Sequence, residues 1–494
     1  MKKISLTILL LSFLNLSGCT TAPSHHSLQN VELPTLIPLR EFIANTSTNF
    51  GYQLSPDGKM IAWLAVKGTR MTIHFREIHS QEVQIIDSHF KRDIFHFNWA
   101  QDSKTMFFSR DNHGDENYQI YSVNIEQADA QPVNVTNFNG GVRAAIVAIP
   151  RNDSDSILIE HNERDKSVFD LFRLNLKDGK LTKVAENDGD VIGWLIDDDG
   201  KLRGRYRKLD DHSKVLETQL PGSNKWQKVI SWTIDERVDV VGFTEDAKEV
   251  WAISNKDTNL IGLVRITLAN GKITPVYSED DVDLDSVFIS SVSHKPIVAV
   301  SMPGYPRTHF FNAEHKSELK KVKQGLEGYV TILSADNSER QLIVVISSEK
   351  SATHYLYNRN TGERQVLGEH HLAKYSSQLA SVRPISFQSR DGLKLHGYLT
   401  TPKGVSGRQL PMVLKVHGGP LARDYYGLNI TNQFLANRGY AVLQVNYRGS
   451  TGYGKEFVEA AMGEWGGKMH TDLLDGVNWA IDEGIADKIG RAHV

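Results

Sequence analysis

Between Asn49 and Leu367 short apolar runs alternate with polar positions residue by residue, and each run is closed by Gly, Asn or Asp. Alternation of period two marks strands with one buried face. One unit reads Leu54-Ser55-Pro56-Asp57-Gly58-Lys59 and then Met60-Ile61-Ala62-Trp63-Leu64-Ala65, a polar turn feeding an apolar strand. Related turns recur with Asp102, Asp153, Asp198, Asp246, His294 and Asp336 in the place of Asp57, at spacings of 45, 51, 45, 48, 48 and 42 residues. That period is the length of one four-stranded propeller blade. Seven copies predict an all-β seven-bladed propeller over residues 49–380, the copy around His294 being the faintest, and no long helix is expected within it. A β-sandwich array with accidental spacing is the plainer alternative.

The pattern changes near Ser381. Pro384 to Leu399 reads as a hairpin meeting at Asp391-Gly392, and Met412 to Val416 as a buried strand that runs into His417-Gly418-Gly419-Pro420. A helix through Phe434, a second apolar strand ending in Asn446-Tyr447-Arg448-Gly449-Ser450, and an amphipathic helix from about Thr471 to Glu483 follow. This succession predicts the opening half of an α/β-hydrolase domain over residues 381–488, incomplete because later strands are lacking. A glycine pair directly after the strand lets backbone N–H groups approach an oxyanion, so His417, Gly418 and Gly419 are the oxyanion-hole candidates. In such a domain the next strand ends in a Gly-x-Ser-x-Gly elbow that exposes the nucleophile. No such pentapeptide occurs in the 494 residues. Ser406, in Gly404-Val405-Ser406-Gly407-Arg408, lacks the second glycine, and Ser450 lies in a turn; neither is read as a nucleophile.

The run Val416-His417-Gly418-Gly419-Pro420, the passage from Phe434 to Leu443, and the run from Val445 to Gly454 resemble the prolyl oligopeptidase family of serine peptidases. The closest likeness is to its acylaminoacyl-peptidase and bacterial dipeptidyl-peptidase branch. Trp465 to Met469, Asp472 to Val477 and Gly484 to Asp487 extend the resemblance, and a propeller ahead of the hydrolase domain is the family's own arrangement. It implies hydrolysis of peptide bonds in oligopeptides, with the propeller limiting access to a site between the domains. It also implies that a tyrosine of the family donates to the oxyanion from the position held here by His417, and that the catalytic serine, aspartate and histidine all fall beyond Lys488. Ile489 to Val494 departs from the family and matches one translated frame of a sequencing adaptor, so 489–494 is read as a non-native tail on a gene fragment without activity of its own. A non-catalytic propeller that binds peptides, and an esterase on the same scaffold, are the competing functions.

The N-terminus sets the expected compartment. Met1-Lys2-Lys3 precedes an apolar run from Ile4 to Leu16 too short to span a membrane comfortably. It ends in Leu16-Ser17-Gly18-Cys19, which resembles the lipobox of bacterial lipoproteins. Residues 1–18 are therefore expected to be a signal peptide, Cys19 the site of lipid attachment, and 19–48 a tether. The expected location is the bacterial cell envelope, held through a lipid anchor on the periplasmic side, with the outer membrane favoured by Thr20-Thr21. Cys19 is the single cysteine, which rules out a disulfide within one chain. A net charge of −3 gives no basic field for nucleic acid. The pairs His25-His26 and His370-His371 lack metal-ligand spacing, and Asp197-Asp198-Asp199-Gly200 fails to continue as a calcium loop. No cofactor and no metal are expected.

Overall fold

The computed structural model describes residues 35–43, 48–87, 92–111, 114–127, 131–219, 225–405, 408–419 and 421–493, with 489–493 described by backbone alone. Antiparallel sheets follow one another along residues 50–86, 97–134, 144–185, 191–232, 238–277, 284–310 and 329–369. They form a seven-bladed propeller, six blades having four strands and the sixth three. Each repeated turn lies between the first and second strands of its blade, for a local reason. The Asp102 carboxylate accepts from the N–H groups of Lys104 and Thr105, both at 2.8 Å, and Asp57, Asp153 and Asp246 accept from the N–H two residues on. An aspartate that closes the turn on its own backbone explains why the residue recurs. In the fourth blade Asp197 rather than Asp198 does this.

Blade 6 corrects the expectation of a helix-free propeller. Its fourth strand is replaced by the helix Ala313–Val322, capped by Asn312, whose side chain accepts from the His315 N–H at 2.8 Å. Only Leu319 and Val322 of that helix are buried, so its apolar stripe is too thin to stand out as a helical period. The ring closes by packing of blade 1 on blade 7. The Leu54 N–H donates to Ser334 Oγ at 3.2 Å, and the Asn337 N–H to Pro56 O at 2.8 Å.

The second domain is one five-stranded sheet. We label its strands β1 (Ser381–Gln388), β2 (Lys394–Thr401), β3 (Leu410–Lys415), β4 (Ala441–Asn446) and β5 (Ala486–His493), and its two main helices α1 (Ile430–Asn437) and α2 (Lys468–Asp482). Their order is β1-β2-β4-β3-β5, with β3 parallel to both β4 and β5. Strand β4 is buried along its whole length, as expected of a central parallel strand covered on both faces. Helix α2 lies on the sheet through Val477 and Ala480, and Gly476 has no room for a side chain: a Cβ there would stand 2.7 Å from Val445.

The span 19–48, expected to be a tether, ends in a docked strap. The Ile37 N–H donates to Asn437 Oδ1 at 2.8 Å, Arg438 Nη2 donates to Ile37 O at 2.7 Å, and Phe42 packs edge-on against Phe434 at 5.5 Å. The chain thus touches the hydrolase domain before it enters the propeller, and His371, in the connection between domains, bridges Thr48 Oγ1 and Glu41 O, each at 2.6 Å.

The hydrolase domain meets the propeller at the turns between second and third strands. Arg423 Nη2 donates to Met302 O at 2.8 Å, Tyr398 OH to Gly304 O at 2.9 Å, and Gln433 Nε2 to Glu349 O at 3.2 Å. Since the aspartate turns sit at the other end of the same second strands, they ring the mouth of the propeller that faces away from the hydrolase. There Arg151 of blade 3 donates across the ring to Asn337 O of blade 7 at 2.9 Å, over a depression of about 510 Å³ lined by Asp198, Thr244 and His294 among others.

Candidate active site

Parallel pairing of β3 with β4, in the register Met412↔Ala441 to Lys415↔Gln444, brings the carboxyl ends of both strands to one edge. That edge is where open α/β sheets bind ligands. From β3 emerges the turn at His417, from β4 the turn Tyr447 to Ser450, and β5 ends on the other side of β3, with Leu414 opposite His493.

The two turns are locked together. His417 Nε2 lies 3.0 Å from Ser450 Oγ, and that hydroxyl donates to Tyr447 O at 2.6 Å. The serine proton being so committed, Ser450 accepts from the imidazole Nε2. The ring stacks on Tyr447 with centroids 4.6 Å apart and planes 10° from parallel, and Tyr447 OH donates to His417 O at 3.1 Å. Nδ1 lies 2.9 Å from Gly418 O. Both ring nitrogens are therefore turned to the protein. The N–H groups of Gly418 and Gly419 make no hydrogen bond among the described residues, and both glycines are exposed. Gly419 has φ +129°, and a Cβ on it would meet Leu421 N at 2.7 Å, whereas a Cβ on Gly418 would meet nothing within 4 Å. Only the second glycine is demanded by the turn itself.

Beyond this turn the chain is pinned by groups that sequence reasoning missed. Asp424 is buried; its backbone N–H donates to Asn446 Oδ1 at 2.8 Å, and its carboxylate accepts from Gln444 and lies 3.8 Å from Lys415 Nζ. One carboxylate oxygen has no hydrogen bond among the described residues, and burial raises the pKa despite the opposing charge of Lys415. Arg423 donates to Tyr453 OH at 2.9 Å and lies over its ring. A charged Ala422-Arg423-Asp424 loop reads as solvated surface in sequence. Nothing local announces that the propeller and β4 close over it.

Under the β4 turn lies a buried ion-pair network. Arg448 donates through Nε and Nη2 to both oxygens of Asp472, at 2.8 Å each, and through Nη1 and Nη2 to Asp391 at 3.0 and 2.8 Å. Hydrogen bonds from Arg448 and Ser389 hold the Asp391 carboxyl well below the usual carboxylate range. The network ties the β1–β2 hairpin, the β4 turn and α2 into one unit.

Ser450 is fully buried. Ser406, Pro420, Cys19, His25-His26 and the signal segment lie outside the described residues. His370 and His371 stack on each other at 4.5 Å, with His371 engaged by Thr48 and Glu41, so the pair serves the domain connection. Among the described residues no group of three or more His, Cys, Asp or Glu side chains is arranged to hold a metal.

With this geometry the comparisons agree. The model of the prolyl oligopeptidase family matches residues 426–490. The sequence is 31% identical over 447 residues to dipeptidyl aminopeptidase BIII of Pseudoxanthomonas mexicana, covering 88% of this chain and 64% of the relative. The chain is similar to the prolyl oligopeptidase family of serine peptidases. Dipeptidyl peptidase family member 6 of Caenorhabditis elegans is 26% identical over 502 residues, 92% of this chain and 66% of that protein. The chain thus spans just under two thirds of the length of these curated relatives. A puromycin-hydrolysing peptidase of Mycobacterium tuberculosis shares the fold with a TM-score of 0.69 at 15% identity, over 93% of this chain and 76% of its own. A prolyl endopeptidase structure does so at 0.68 and 13%, over 92% and 69%.

Proposed function

We propose that this chain supplies the propeller and the oxyanion side of a serine peptidase that cleaves oligopeptides, held in a bacterial envelope by a lipid anchor at Cys19. The observation that carries the reading is the pair of N–H groups at Gly418 and Gly419 that make no hydrogen bond among the described residues, at the carboxyl end of β3, which pairs in parallel with β4. In acyl transfer a serine hydroxyl adds to the peptide carbonyl, a histidine takes its proton and returns it to the leaving amine, and the oxygen gains negative charge as the tetrahedral intermediate forms. Backbone donors held in place beforehand stabilise that charge without reorganising. His417 contributes by holding the turn, through Ser450 and Tyr447. The serine, histidine and aspartate are not among these residues in any recognisable pattern, so residues 1–494 by themselves are expected to hydrolyse nothing. The propeller sets a size limit. A full-length protein that cleaves a chromogenic dipeptide amide and a nonapeptide but leaves unfolded casein intact supports the proposal; equal rates on casein and the nonapeptide contradict it.

A further inference from the structure

The strap at residues 35–43 has two faces with different fates. Ile37 and Phe42 turn inward and pack with Leu372, Leu379 and Phe434. Leu36, Leu39 and Ile43 turn outward and are 60%, 49% and 73% exposed, with Tyr440 at the end of α1 39% exposed. Leu39 and Ile43 are four residues apart across the short helix Arg40–Ile43, and so share a face. Tyr440 lies three residues past Asn437, whose side chain contacts Thr35 O and the Ile37 N–H. The rim is basic on balance, because the exposed side chains of Arg40 and Lys374 share a single carboxylate, Glu41. Large apolar side chains gathered on one basic-rimmed face are the composition of a surface that meets anionic lipid.

Resting on the lipid-anchored reading above, we infer that this outer face of the strap sits on the membrane surface, with the hydrolase domain toward the lipid. The length of the connection argues for lipid over another occupant. Fifteen residues separate Cys19 from Thr35, and a fully extended chain of that length reaches at most about 55 Å. The diacylated end and the apolar face are therefore confined to the same neighbourhood, so contact of the face with the bilayer is intramolecular once the anchor is inserted. At the high effective concentration this creates, a patch too small to bind membranes unaided stays engaged. The aspartate-turn mouth of the propeller lies on the side of that domain away from the hydrolase. Peptides then approach from the aqueous side, while the strap and the domain connection at His371 stay at the lipid.

The single cysteine makes the test direct. In the lipidated chain Cys19 is blocked, so Leu39→Cys, and separately Glu245→Cys on a distal turn, each offer one thiol for a nitroxide. In vesicles of phosphatidylethanolamine and phosphatidylglycerol, the ratio of oxygen to polar nickel-chelate accessibility is expected to be several-fold higher at 39 than at 245. Equal ratios at the two positions on vesicle-bound protein overturn the inference. So does a label at 39 shielded from both reagents, which means that a protein segment or a second copy covers the face. A chain that fails to pellet with vesicles and carries a second reactive thiol, at Cys19, overturns the anchor reading and the inference with it; the thiol count separates that failure from the other two.

Discussion

Two adjacent glycines in the β3 turn do different work. Gly419 adopts a φ of +129° with Leu421 N where its Cβ would be, while Gly418 faces open space. Gly419→Ala is expected to destabilise the hydrolase domain by about 1–3 kcal/mol, and Gly418→Ala to stay within about 0.5 kcal/mol of the parent, both read by urea unfolding. The glycine pair after an apolar strand was legible in sequence, because a close-approach turn has few chemical solutions. The role of the imidazole was not. His417 and Ser450 are 33 residues apart, and their meeting depends on the register of β3 against β4, which the residues near either one do not specify. In the full-length enzyme Ser450→Ala is expected to lower kcat with KM little changed, since it frees the turn rather than removing a substrate contact; an unchanged kcat would assign the Ser450 contact to stability alone.

The elements were legible where their hydrophobic period was strong. Strand β4 stands where its continuous apolar run puts it, the hairpin of β1 and β2 where the Asp391-Gly392 turn puts it, and the blade turns fall where the repeat puts them, within a residue. Expectation failed where tertiary space decided: the helix Ala313–Val322 fills the place of a strand with only two buried side chains, and α2 starts at Lys468, ahead of the expected Thr471, after a Gly467 that makes no side-chain cap. Helix α2 is held by charge as well as by its apolar face. Arg448 and Asp472 are almost wholly buried, their side chains 4% and 0% exposed. Removing Asp472 leaves Arg448 with Asp391 as its remaining carboxylate, so Asp472→Ala is expected to cost about 1.5–3 kcal/mol, the worth of the charged hydrogen bonds lost. Differential scanning calorimetry should show the loss in the hydrolase transition while the propeller transition holds its temperature.

At the scale of the molecule, two domains are joined by two crossings and a strap that converge on one corner, where His370 and His371 stack. Burial lowers the pKa of His370 to about 4, and that of His396, stacked on Tyr453 in the sheet, also to about 4. An unfolded chain takes up these protons near pH 6.5, so between about pH 6.5 and 4 the unfolded state binds more of them. Stability therefore falls as the pH drops through that window and is fully present above it. Urea midpoints of the hydrolase domain at pH 7 and pH 5 should differ accordingly, and His396→Gln should shrink the difference. The propeller and the likeness to prolyl oligopeptidases were legible from repeats and motifs because both are written locally and often. The strap was not, since it pairs Ile37 with Asn437 across 400 residues.

On the proposed function, the turn at Gly418 and Gly419 serves a nucleophile that is none of the serines of this chain. Intact-mass and peptide-mass analysis after treatment with a fluorophosphonate tests it most directly. One adduct per full-length molecule is expected, on a serine outside these 494 residues, and none on the chain described here. An adduct on Ser406, Ser450 or any other serine of this chain would contradict it.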